Sequence, residues 1–143
     1  MKDWAWWPLR IIAAIQAVVI LDQAVFAGQF LSGEFGALAR HRENATFAGL
    51  ATIAMVVAAV LLRWPGGGPI WPLPVCAGLF GLIALQIAMG YGRVLTVHVP
   101  LGVAIITASL FILVRAWRPV LTRSSPAAIA QDRPVARDKP VAR

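Results

Sequence analysis

The sequence predicts an all-α integral membrane protein: four transmembrane helices in an up-down bundle built from two similar helix pairs. Three observations predict it. The 143 residues are 59% hydrophobic and only 13% charged, too few charges to coat the surface of a small soluble core. The apolar residues gather in long runs that approach the ~20 residues needed to cross hydrocarbon. Charged residues and helix breakers fall between those runs, and two stretches of the chain match each other.

Residues 1–8 form a short N-terminal segment. Trp4, Trp6 and Trp7, followed by Pro8 and Arg10, have the composition of an aromatic belt at a membrane surface. The first span covers about 9–31. It is too long for a cleaved signal peptide and lacks a clear small-x-small site followed by a soluble domain. The second covers about 42–63, its helix starting earlier, within Ala37–Asn44. It stops at Arg63-Trp64-Pro65-Gly66-Gly67-Gly68-Pro69, where consecutive breakers force a turn. The third and fourth spans cover about 71–90 and 95–117. Residues 119–143 are rich in Pro, Arg and Ala and end in a tandem Pro-Val-Ala-Arg. Such a segment buries too little apolar area to offset its ordering entropy, so it is expected to be a disordered basic cytoplasmic tail.

The net charge of +7 raises nucleic acid as a partner, but the positions of the charges argue against it. Seven of the 13 Lys and Arg lie at or beyond Arg115, and most others sit at the ends of apolar runs. That is topogenic charge beside lipid. One face carries Lys2, Arg10, Arg63, Arg115, Arg118 and Arg123; the other carries Arg40, Arg42 and Arg93, offset by Glu34 and Glu43. The positive-inside rule places both termini in the cytoplasm of a bacterial cell, with the chain multi-pass in its cytoplasmic membrane. The lone Cys76 excludes an internal disulfide, and the chain has no CxxCH motif.

The internal match centres on the two histidines. Leu38, His41, Ala45, Ala51 and Thr52 correspond to Leu95, His98, Gly102, Ala108 and Ser109. In the preceding spans, Gln23 and Ala27 correspond to Gln86 and Gly90. A duplicated helix pair in one orientation relates its halves by an axis along the membrane normal. The matched positions share one helical face, so His41 and His98 are expected across that axis from each other, near the outer surface.

Two facing imidazoles in a helix bundle suit a haem iron, because the porphyrin supplies the other four ligands. Without CxxCH the haem would be b-type. Ala45 and Gly102, one turn deeper, would give the macrocycle room, and Arg40, Arg42 and Arg93 could pair with its propionates. A zinc site would want four ligands, and only Glu34 and Glu43 are near. Asp22 stands well inside the first span, where an ionisable group is by default a functional candidate. It competes with a packing role shared with Gln23 and Gln86. No residue is assigned a catalytic role. The alternatives are a cofactor-free scaffold or accessory subunit and a proton-linked transporter component. Expected partners are the bilayer and, within it, a redox partner or a homo- or hetero-oligomer.

Residues Leu85–Gly90 and His98-Val99-Pro100-Leu101-Gly102-Val103 resemble the third and fourth helices of one half of a haem A synthase, a cytochrome b561-like four-helix arrangement. Gln23–Gly28 and the His41 region resemble its first two helices. The chain is also similar to small four-span bacterial membrane proteins that begin their last helix with His-Val-Pro-Leu-Gly. The resemblance covers about residues 9–118 and implies His41 and His98 as a bis-histidine pair. The chain carries one half only. Leu38 stands where the family has an acidic residue, and the family's loop cysteines are missing, so haem oxidation is not implied.

Overall fold

The computed structural model describes residues 3–118; the predicted tail, 119–143, lies outside them. A single 3-10 turn at Asp3–Trp6 leads into α1 (Trp7–Leu31). It is followed by α2 (Ala37–Arg63), α3 (Pro72–Tyr91) and α4 (Leu95–Trp117). Among the described residues, these are four helices long and apolar enough to cross a membrane. The shortest, 20 residues, rises about 30 Å, the thickness of the hydrocarbon core. α1 packs on α2 and α4, and α3 packs on the same two helices, so the four close into a bundle.

Each helix turns one narrow seam inward. Leu9, Ala13, Gln16 and Ile20 are buried on α1, and Ala48, Thr52, Met55 and Ala59 on α2. Pro72, Cys76, Leu79 and Ile83 follow on α3, and Ile105, Ser109, Ile112 and Ala116 on α4. All four sets step by four, three and four residues, which keeps a stripe on one side of a helix. The α1 set recurs in α3 at the same offset that separates Gln23 from Gln86. The α2 set recurs in α4 at the offset between His41 and His98.

The opposite faces are apolar and open. Ile11, Ile15, Val18, Phe47, Leu50, Val57, Val103 and Phe111 are all exposed. As little as 17% of the most apolar stretch of α3, or of α4, is buried inside the molecule. A water-soluble bundle would reverse this pattern. The protein is therefore a multi-pass membrane protein whose outer helix faces meet lipid. Small buried residues, Ala13, Ala17, Ala48, Ala58, Ala59 and Ala116, let the helices approach closely where no hydrophobic drive pulls them together.

The tryptophan-rich end is fastened by Arg10. Its guanidinium carbon lies 5.9, 5.7 and 5.8 Å from the rings of Trp6, Trp7 and Trp117. Its Nε donates to the Ala116 carbonyl at 2.9 Å, one of the last-turn acceptors that an α-helix leaves unpaired. The start of α1 is thereby tied to the end of α4. At the other end the connections are short, residues 32–36 and 92–94. Each uses a left-handed backbone position, Gly33 at φ 99° and Arg93 at φ 57°.

Candidate functional site

The histidine end is organised around two similar contacts. His41, on the second turn of α2, donates its Nδ1–H to the Gln23 carbonyl of α1 at 3.1 Å. His98, on the first turns of α4, donates its Nδ1–H to the Gln86 carbonyl of α3 at 2.9 Å. A carbonyl can only accept, so each Nδ1 carries the proton and each Nε2 of the neutral ring keeps its lone pair. The two rings meet edge-on, with centroids 6.1 Å apart and planes at 62°. Both rings are half-buried. The two residues that the sequence singled out are thus brought together.

This is how ligating histidines are commonly held. The second nitrogen donates to a backbone carbonyl, which fixes the tautomer and the ring orientation and raises the basicity of the other nitrogen. Among the described residues, no group of three or more His, Cys, Asp or Glu is gathered to hold a metal ion.

The two halves differ at the glutamines. The Gln86 side chain turns back so that its Nε2–H donates to His98 Nε2 at 3.3 Å. A Cβ built on Gly102 would lie 3.1 Å from the same Gln86 nitrogen. The room expected for a macrocycle at Gly102 is thus occupied by Gln86, a contact that spacing along one helix cannot reveal. Gly90 is needed for a similar reason, because a Cβ there would stand 2.9 Å from His98 Cε1. The side-chain oxygens of Gln23 and Gln86 are buried and have no hydrogen-bond partner among the described residues.

The remaining candidates are spread over the same end. Arg40 pairs with Glu34 and reaches Gln29 Oε1 at 3.2 Å. Its guanidinium also lies 5.8 Å from the Phe26 ring. Arg42 lies over Tyr91 at 5.8 Å. Arg93 is exposed in the turn between α3 and α4. Ala45 is half-buried on α2, one turn beyond His41. Asp22 is half-buried on α1 beside Gln23, outside the contacts that hold the two imidazoles.

Sequence reasoning missed three polar residues. Gln16 is completely buried, with both amide atoms unpartnered; its signal was its position two turns before Gln23 on the same face. Asn44 donates to the Val19 carbonyl at 2.8 Å, joining α1 to α2 one turn beyond His41. The third is the partner of Arg40: Glu34, read from the sequence as an offsetting charge and as one of two acidic residues near a zinc site, pairs with it. A groove of about 450 Å³ lies between α1 and α2, lined by Ile12, Ile15, Val19, Phe47, Leu50 and Ala54 among others. It is separate from the histidine pair. Compared with known proteins, the chain matches no family model, no curated protein and no solved structure.

Proposed function

We propose that this is a small membrane protein that holds a b-type haem between His41 and His98, for electron transfer or haem handling. The observation that carries the proposal is the matched placement of the imidazoles. Each Nδ1–H is engaged by a glutamine carbonyl, each Nε2 keeps its lone pair, and the rings stand 6.1 Å apart. A haem with two imidazole ligands supplies one-electron chemistry and offers no open coordination position. The chain's own residues set the environment. The Gln23 and Gln86 carbonyls orient the rings, and Arg42 and Arg93 bring positive charge to the same end for the propionates. Arg40 shares its charge with Glu34.

The constant offsets between the buried seams, and the two Nδ1-to-glutamine bonds, support two similar helix pairs in an up-down bundle. The short connections within each pair favour the same arrangement. The charge distribution supports the cytoplasmic membrane of a bacterium, with both termini inside and the histidine end outside.

The test is the visible spectrum of the protein purified in mild detergent from haem-replete cells. The expected result is a Soret band, with sharp bands on reduction, absent from both His41→Ala and His98→Ala. A colourless, fully helical preparation would overturn the haem reading. That outcome would favour a second reading, a cofactor-free scaffold or accessory subunit. The observation supporting it is Gln86, which already satisfies His98 Nε2 and fills the Gly102 notch.

A further inference from the structure

We infer that the Gln86 side chain is a latch on the histidine pair, holding the His98 half closed until an incoming haem displaces it. The inference rests on the haem reading above and adds how the site is loaded. Gln86 does two things at once. Its amide donates to the one His98 nitrogen able to bind iron, and it packs into the notch at Gly102, where a Cβ would be 3.1 Å away. Both must be released before a planar group can enter beside His98.

The other half carries no such restraint. Gln23 offers His41 its main-chain carbonyl in the same way, but among the described residues no Gln23 amide bond to His41 Nε2 matches that of Gln86. Sequence equivalence therefore hides a functional difference: His41 is ready to ligate, and His98 is guarded.

The latch is also built to release. The His98 ring does not depend on the amide for its orientation, because the Gln86 main-chain carbonyl holds Nδ1 independently. Moving the side chain frees Nε2 without releasing the ring.

Two measurements test this on the full chain in detergent. In the haem-free protein, the histidine ¹⁵N spectrum is compared between wild type and Gln86→Leu, with His98→Ala assigning the signals. The expected result is that the His98 Nε2 resonance moves and that of His41 does not. An unmoved His98 signal would overturn the contact. In the second, stopped-flow absorbance follows uptake of added haemin. Gln86→Ala, which removes both bond and filler, is expected to load about tenfold faster, the scale of one net hydrogen bond. Gln86→Leu, which refills the notch, should gain less. Equal or slower uptake in both variants, with helical circular dichroism unchanged, would overturn the latch. If wild type takes up no haem under any condition, the haem reading and the loading role fall together, while the ¹⁵N result still judges the contact by itself.

Discussion

Gln16 sits in the middle of the inward seam of α1, fully buried, and neither atom of its amide has a partner. An unpaired buried amide costs about 1–3 kcal/mol, and water inside a bilayer is scarce. Gln16→Leu is therefore expected to stabilise the bundle by about 1–2 kcal/mol, read as a higher midpoint of thermal unfolding in detergent. Thr52 is equally buried, but its hydroxyl donates to the Ala48 carbonyl at 2.7 Å. Ser109 does the same to Ile105 at 2.8 Å. Those carbonyls already belong to the helix ladder, so Thr52→Val, similar in volume, should shift the same midpoint by less than about 1 kcal/mol. The sequence shows that Gln16 shares a face with Gln23. Whether another helix brings it a partner is a tertiary fact.

At the scale of elements, glycines fix how closely neighbouring segments meet. Gly90 of α3 is the floor on which the His98 ring rests. A Cβ at 2.9 Å from that ring forces it aside, so Gly90→Ala is expected to weaken the Nδ1 bond to Gln86, read as a shift of the His98 ¹⁵N signals while the helical circular dichroism persists. The turn between α2 and α3 is tighter still. Gly66 and Gly68 bond back to the carbonyls of Leu61 and Leu62, and a Cβ on Gly66 would lie 2.5 Å from the Leu62 carbonyl oxygen and 2.7 Å from Ala5 Cβ. Backbone cannot yield as a flexible side chain can. Gly66→Ala is expected to cost about 1–3 kcal/mol, the scale of overpacking. Gly67→Ala, strained only by its φ of 67°, should cost about 1 kcal/mol. Comparing the two thermal midpoints checks the order. The breakers from Pro65 to Pro69 were enough to locate this turn, but not to say which glycine bears the contact.

For the whole molecule, the charge bias between the two ends makes an orientation testable. Reporter fusions after Leu31 and after Gly92 should report the outside of the cell, and one after Gly67 the inside. The opposite pattern would move the histidine pair to the cytoplasmic face. The Arg10 cluster bears on the same scale, since it ties the first helix to the last across the tryptophan-rich end. Arg10→Ala removes both the cation–π contacts and a carbonyl partner. It should loosen α1 against α4 by about 1–2 kcal/mol, detected as faster proteolysis at that end.

By itself, the sequence determined that the chain has four apolar helices able to span a membrane, and it singled out His41 and His98 by their matching neighbours. Hydropathy is a sum over neighbouring residues, and a helical face follows from spacing alone, so both survive without knowledge of the fold. Tertiary structure decided what stands between the histidines. Whether Gly102 leaves a cavity or receives Gln86, and whether His98 Nε2 is open or bonded, depends on the separation of α3 from α4 and on one side-chain rotamer. Differences near 3 Å between atoms on separate helices set those contacts, and no pattern along a single helix encodes them.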